Sequence, residues 1–185
     1  MALEGKHAPA PPQAAMAADP HAGVPGAPPL TGGNNMVMPG RPAIDPSVRQ
    51  HLQEAQAAAD AKPGDYDALV HLGNAAYDAR EFAQAVDAYE KALKARPGDV
   101  NVMTDLGTAY RNQGQVEKAL ELFRKARAAD PKHWQSLYNE VIVLALDLHD
   151  HAAADAALAK LKAEHPGLPA IEALEQQVRG AHAEK

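Results

Sequence analysis

The stretch that decides the fold lies in the middle of the chain and consists of two similar segments in tandem. Residues 66–99 read YDALVHLGNAAYDAREFAQAVDAYEKALKARPGD, and residues 100–133 read VNVMTDLGTAYRNQGQVEKALELFRKARAADPKH. Aligned without a gap, they agree in residue type at Leu69, Leu72, Gly73, Ala85, Tyr89 and Ala92 of the first and at Met103, Leu106, Gly107, Ala119, Phe123 and Ala126 of the second. A period of 34 residues is typical of proteins built from stacked structural repeats.

Each segment is predicted to form two helices joined by a short turn. Asp65 and Asp99 each follow a Pro-Gly pair, and their carboxylates are suited to accept the unpaired backbone N–H groups at a helix N-terminus. Leu69, Leu72 and Ala76 then form an apolar stripe at helical spacing. The prolines at the ends of the segments stop the second helix.

Two glycines lie inside predicted helices, where glycine costs ~1 kcal/mol relative to alanine. Gly73 and Gly107 occupy the same place in the two segments. We therefore expect a close approach of the neighbouring helix at both positions, with Ala85 and Ala119 as the matching small residues.

A third copy, over residues 135–168, is weaker and is offset by one residue. We place the additional residue near His133 and Trp134, in the connection between repeats. The expected equivalents of the repeated positions are Tyr138, Val141, Ile142, Ala154, Leu158 and Leu161. The turn inside each copy requires a left-handed residue, a place held by Arg80, Gly114 and His149 in the three copies.

The flanks of the repeats differ in composition. Residues 1–45 hold nine of the fifteen prolines and few large apolar side chains, so they are predicted to form a disordered tail or linker. Residues 46–182 are predicted to form one domain. Residues 46–62 give it an N-terminal helix, capped by Asp45, and residues 168–180 give it a C-terminal capping helix, which makes eight helices in all.

Composition excludes several classes of protein. Cysteine is absent and the net charge is −6, which argues against thiolate chemistry and against a basic footprint for nucleic acid. Two serines and three threonines stand outside any nucleophile motif, and no phosphate-binding loop is present. We predict no enzymatic activity and no cofactor.

A metal site is also not predicted, although residues 147–155 are rich in histidine and aspartate. His149 and His151 are the nearest to a ligand pair. They stand two residues apart at a helix–turn junction, without the spacing that places two side chains on one helix face. Exposed turn residues explain the same sequence.

The two central segments resemble tetratricopeptide repeats, and the third copy departs from the family pattern at Ile142 and Leu161. The resemblance implies an all-α, right-handed α-solenoid of three helix pairs, with the first helices on a concave face and the second helices on a convex one. It does not extend to the clamp by which some members bind the acidic C-terminus of heat-shock chaperones. At those positions this chain has Val70, Asn74, Asp105, Ser136 and Glu140, of which only Asn74 fits.

Given the two faces that the resemblance implies, the charges of the first and second helices can be compared. The predicted first helices carry seven acidic residues and a single arginine, whereas the second helices are nearly neutral. Helix-dipole stabilisation explains Asp65, Asp67 and Asp99, and the remaining acids indicate an acidic groove. We expect it to bind a basic or neutral peptide or helix of a partner protein through His71, Asn74, Asp78, Asp105, Thr108, Arg111, Asn112, Glu140 and Asp147.

The predicted function is that of a non-catalytic adaptor or scaffold for protein–protein interaction. The alternative is a structural scaffold that self-assembles into oligomers through the repeat ends or the convex face. The order of linker, extra helix and repeats is similar to bacterial envelope proteins that assemble c-type cytochromes. That resemblance implies a periplasmic domain tethered by its linker, with membrane contact only through an N-terminal anchor; the sequence does not determine the compartment.

Overall fold

The computed structural model describes residues 45–183, in which eight α-helices and one π-helical turn follow each other without a strand. The helices are α1 (Pro46–Ala61), α2 (Tyr66–Asp78), α3 (Phe82–Ala95), α4 (Val100–Asn112), α5 (Val116–Ala129), α6 (Trp134–Ile142), α7 (His151–Glu164) and α8 (Ala170–Ala183), and the π turn (Val143–Asp147) continues α6. The predicted tail of residues 1–45 lies outside the described residues except for Asp45. None of the helices from 45 to 183 combines the length and the apolarity that a membrane crossing requires.

The helices pack in chain order, each mainly on the one before and the one after it. This arrangement is an α-solenoid, as predicted. The caps form as expected: Asp65 accepts a hydrogen bond from the Ala68 N–H at 2.9 Å, and Asp99 accepts one from the Asn101 N–H at 3.0 Å. Each such cap contributes about 1 kcal/mol.

The two helical glycines do mark close helix contacts. A Cβ atom built on Gly107 would lie 2.6 Å from Cε1 of Phe123, and one on Gly73 would overlap the ring of Tyr89. The neighbour is therefore an aromatic ring of the second helix, not the small residue Ala85 or Ala119. Both rings are almost completely buried, so the glycine makes room for the largest fully buried side chain of its repeat.

The additional residue of the third repeat is not in the connection near His133 and Trp134, and that prediction is wrong. Asp65, Asp99 and His133 precede the first helices at intervals of 34 residues. The turn between the two helices of each repeat contains a residue with positive φ, which is 59° at Arg80 and 53° at His149. His149 follows the equivalent Gly114 by 35 residues, whereas Gly114 follows Arg80 by 34. The extra residue therefore lies inside the first helix.

The π turn absorbs that residue. The Leu148 N–H donates to the carbonyl oxygen of Val143, five residues back, at 3.0 Å, where an α-helix bonds four residues back. Residues before the turn consequently align with the earlier repeats without an offset. Leu137, which is 2% exposed, takes the core position expected for Tyr138, and Val141 takes the glycine position expected for Ile142.

The C-terminal helix begins later than predicted, at Ala170 instead of residue 168. Pro169 explains the difference, because the residue before a proline disfavours the helical conformation. Ile171, Leu174 and Val178 are buried against the last repeat, so α8 covers the apolar end of the solenoid, as a cap must.

Candidate partner-binding groove

Side chains near the ends of the three first helices are joined by polar contacts. The Asn112 amide of α4 donates to the Tyr77 hydroxyl of α2 at 3.0 Å. Arg111, also on α4, forms a two-pronged ion pair with Asp147 of the π turn, with N···O distances of 2.5 and 3.2 Å. These contacts define the groove, whose residues are Asn74, Tyr77, Asp78, Asp105, Thr108, Arg111, Asn112 and Asp147.

Tyr77 lies at the centre of the groove. Burial raises the pKa of its hydroxyl most strongly, the hydrogen bond from Asn112 and the charge of Arg111 oppose that rise, and the charges of Asp105 and Asp78 add to it. All four groups therefore stand close to the phenol. A tyrosine hydroxyl is already protonated at neutral pH at its ordinary pKa, and here it accepts the hydrogen bond from Asn112.

Asn74, also a groove residue, is hydrogen-bonded to a side chain of the core. The buried Tyr89 hydroxyl donates to its side-chain oxygen at 2.7 Å. Desolvation raises the pKa of Tyr89 far above its ordinary value, and the nearby Asp105 adds to the rise. The side-chain oxygen of Asn74 is therefore engaged by the core, and the other end of its amide is the nitrogen, a hydrogen-bond donor.

Thr108 and Asp105 lie on the same face of α4 as Asn112, one and two turns earlier. The Asn112 amide also donates to the Thr108 carbonyl oxygen at 2.9 Å, and the Thr108 hydroxyl donates to the Thr104 carbonyl at 3.0 Å. These bonds hold the side chains of α4 in place on the groove side.

Arg111 and Asp147 were predicted as separate contacts for a partner, but they neutralise each other. Their side chains are 22% and 24% exposed, so the pair is half-buried and forms a wall at the repeat-3 end of the groove. Bidentate pairs of this kind are stronger and more fixed in geometry than single contacts.

Glu140 is not in the groove, and its prediction as a groove residue is wrong. It is 4% exposed and points toward α5, where Arg124 Nε lies 2.8 Å from Oε1 and Arg127 Nε lies 3.2 Å from Oε2. Glu140 occupies the position of the core residues Leu72 and Leu106. A charged group is tolerated there because two guanidinium groups surround it.

His71 does not join the groove cluster either. Its ring packs edge-on against His51 of α1, with 4.8 Å between the ring centroids, so it marks the α1 end of the domain.

Fewer acidic residues belong to the groove than the sequence predicts. Asp65 and Asp99 cap helices, Glu140 is buried, and Asp147 is paired. Asp67 is exposed, 3.8 Å from Arg96. Asp78 and Asp105 are the groove acids whose charges act on Tyr77, since both raise the pKa of its hydroxyl.

Tyr77 is the groove residue that sequence reasoning missed. The signal was present, because Tyr77 stands 34 residues before Arg111, which was selected.

In the third repeat, the His151 ring packs on a histidine of α8 instead of on His149. The ring centroids of His149 and His151 are 6.3 Å apart, whereas His151 packs on His182 of α8 at 4.3 Å. In the described range of 45–183, no three histidine, aspartate or glutamate side chains are grouped to hold a metal ion.

The chaperone-clamp positions are also unsuited to an acidic ligand. Ser136 is fully buried and donates to the His133 carbonyl oxygen at 2.8 Å. Glu140 is buried and negatively charged, as described above.

The fold and the groove together define a helical-repeat protein whose first helices present a polar surface. Two family models described as Tetratricopeptide repeat match residues 49–100 and 76–141, and together they cover about half of the chain. The protein belongs to the tetratricopeptide repeat family. A comparison with curated proteins finds no match.

Solved structures of the same fold are numerous. The chain is similar to MamA (41-end) from Desulfovibrio magneticus RS-1, with a TM-score of 0.62 and 20% identity over 66% of this chain and 69% of that one. It is similar to the Sgt2 TPR domain from Aspergillus fumigatus, with a TM-score of 0.57 and 29% identity over 64% and 80% of the two chains. The TPR2B domain of yeast Sti1, in its complex with pHsp70, gives a TM-score of 0.56 and 16% identity over 74% and 99%.

Proposed function

We propose that this protein is a non-catalytic interaction adaptor whose groove binds a basic or neutral segment of a partner protein. The observation that carries the proposal is the arrangement around Tyr77, where Asp78, Asp105 and the Asn112 amide surround one phenol.

The groove residues other than Thr108 each have a role in that binding. Asp78 and Asp105 attract a lysine or arginine side chain of the partner, and the Tyr77 ring offers its face to the same cation. Asn112 and Asn74 hydrogen-bond to the partner's backbone. The Arg111–Asp147 pair limits the groove at its repeat-3 end and adds little net charge.

The comparisons support the class of function. The yeast Sti1 domain shows that a domain with this fold forms a complex with pHsp70. The partner chemistry proposed for this chain differs, because Asp105 and the buried Glu140 stand where an acidic ligand would require positive or neutral groups.

The finer proposal concerns the process. The linker, the extra helix and the three repeats together support a tethered adaptor that receives a segment of a client protein in an envelope or cytochrome c assembly machinery. This proposal rests on the order of the segments, and the peptide experiment below does not depend on it.

Selection of random peptides displayed on phage tests the groove. The baits are the full chain, the variant Asp78→Lys with Asp105→Lys, and a control, Asp60→Lys with Asp87→Lys, that makes the same charge change on exposed positions of α1 and α3. We expect the wild type and the control to enrich lysine- and arginine-containing peptides, and the groove variant to lose them by at least about tenfold, since a lost charge-assisted contact is worth 1.4 kcal/mol or more.

Two results would overturn the proposal. One is a groove variant that enriches the same basic peptides as the wild type. The other is a wild type that enriches none and sediments as a defined oligomer, which would favour the self-assembling scaffold.

A further inference from the structure

Two interfaces between successive repeats are equivalent in sequence position but differ in how they are filled. Between α3, α4 and α5, the Tyr110 side chain occupies the space. Its hydroxyl donates to Glu90 of α3, and Lys118 Nζ of α5 lies 4.9 Å from its ring centroid. Leu106 is buried beside it, so this interface is closed.

The next interface, between α5, α6 and α7, carries different residues at the same positions. Leu106 is replaced by Glu140, Glu90 by Arg124, Tyr110 by Leu144, and Lys118 by Ala153. A large aromatic side chain and a long cation are thus exchanged for smaller residues, and the acidic partner on the preceding helix becomes basic. We name the resulting depression the α5–α7 cleft.

The α5–α7 cleft has a volume of about 270 Å³. Its polar lining consists of Arg124, Arg127 and Lys160 with the buried Glu140. Its apolar lining consists of Leu137 and Leu144 at the base and an alanine wall on α7, formed by Ala153, Ala156 and Ala157. Three cations and one carboxylate therefore line the cleft, and Lys160 also pairs with the exposed Glu164 at 3.6 Å. With that pair included, the cleft keeps a net positive charge in a chain whose net charge is −6.

Arg127 and Glu140 form a buried ion pair, with Nε and Oε2 3.2 Å apart. Both atoms are shielded from solvent, so this pair is part of the packing beneath the cleft. The Arg124 side chain, by contrast, is 52% exposed. Arg124 is therefore the guanidinium of the cleft that a bound peptide reaches.

The surface continues beyond the cleft. A second depression of about 470 Å³ lies along α5 and shares Arg124 with the first. Its other lining residues are the apolar Leu120 and Ala128, the cation Lys125 and the acids Glu117 and Glu121, so its charges balance. A segment that places an acidic side chain in the α5–α7 cleft can continue along this second depression with an apolar side chain on Leu120 and Ala128.

We propose that the α5–α7 cleft is a second docking site, which binds an acidic segment of a partner protein. A carboxylate of the segment pairs with Arg124 and Lys160, and an apolar side chain packs on the alanine wall. The site uses none of the groove residues, so the protein carries two recognition surfaces of opposite charge and can hold two segments at once.

The phage-displayed library also tests this proposal. Lys160→Glu reverses an exposed charge at the mouth of the cleft, where Lys160 makes only an exposed pair with Glu164. Ala156 is exposed, and its equivalent in the preceding repeat is Glu121. Ala156→Glu therefore places on α7 a side chain that the preceding repeat already carries. Both changes leave Glu140 and its partners Arg124 and Arg127 unaltered. Lys94→Glu on α3 is the matched control, because it makes the same charge change as Lys160→Glu.

We expect the wild type to enrich a class of acidic peptides besides the basic ones. Fluorescence anisotropy of a selected acidic peptide is then expected to show at least about tenfold weaker binding to Lys160→Glu and to Ala156→Glu, and at most twofold weaker binding to Lys94→Glu. The groove variant, Asp78→Lys with Asp105→Lys, is expected to bind the acidic peptide at least as tightly as the wild type. Loss of binding to the basic peptides alone therefore does not count against the cleft.

Three results would overturn the docking site. The first is the absence of acidic peptides from the selected pool. The second is equal weakening by Lys160→Glu and the Lys94→Glu control, which would show diffuse electrostatics. The third is displacement of the peptide by inorganic phosphate at concentrations comparable with those of the peptide, which would show a small-anion site.

Discussion

Repeats 1 and 2 follow one pattern, and repeat 3 departs from it at several points at once. The first two repeats keep the 34-residue period, the helical glycine and the aromatic ring that fills the space above it. Repeat 3 has an extra residue in a π turn, a valine in place of the glycine, and a buried glutamate in place of a leucine. Its departures place Asp147 against Arg111 and open the α5–α7 cleft, so both proposed binding surfaces depend on the irregular repeat. Natural proteins often break local rules where they bind.

The largest effect is expected from isolating the buried glutamate. Arg124→Ala with Arg127→Ala leaves Glu140 uncompensated in the core, which we expect to lower the free energy of unfolding by about 3–5 kcal/mol. Adding Glu140→Leu restores the residue of the earlier repeats and is expected to recover most of that loss. Urea unfolding of the three proteins measures both changes, and a triple variant as unstable as the double variant would contradict the role given to Glu140.

A smaller effect is expected at the helical glycine. Gly107→Ala places a Cβ atom 2.6 Å from Phe123, and the overpacking is expected to cost about 2 kcal/mol despite the better helix propensity of alanine. Gly180→Ala is the control, because its Cβ would meet nothing within 4 Å, and it is expected to be neutral or stabilising. If both variants gained stability in thermal unfolding, the close approach would not be real.

The smallest losses of stability are expected from removing the carboxylate of either of two ion pairs, one half-buried and one exposed. Asp147→Asn weakens the half-buried pair with Arg111 and is expected to cost about 1–2 kcal/mol. Asp67→Asn removes an exposed partner 3.8 Å from Arg96 and is expected to cost about 0–0.5 kcal/mol. Chemical denaturation in low and high salt compares them, and an equal cost for the two variants would contradict the structural role of the π turn.

Most of the fold was predictable because repetition supplies an internal check. Asp65 and Asp99 recur with their Pro-Gly pairs, so the helix starts follow from the sequence alone. The location of the extra residue did not follow, because His133 is not a typical capping residue and gave no marker for the start of α6. An offset of one residue could then be placed anywhere before the next turn.

The groove was predicted in part, since most of its polar residues lie on the first helices as the family pattern implies. Glu140 was misplaced because charged residues are rarely buried, and the arginines that make its burial tolerable lie on another helix. The pairing of Arg111 with Asp147 depends on the π turn, which no local pattern indicated. The α5–α7 cleft is visible only when the residues of three helices are compared with their equivalents one repeat earlier.

The proposed function depends on recognition of a partner segment around Tyr77, and an NMR titration of the full chain with a library-selected basic peptide tests it. We expect the side-chain amide signal of Asn112 and the backbone signals of Tyr77, Asp78 and Asp105 to shift. The Asp78→Lys, Asp105→Lys variant is expected to show no such shifts. Shifts confined to α5 and α7, or shifts that persist in the variant, would contradict it.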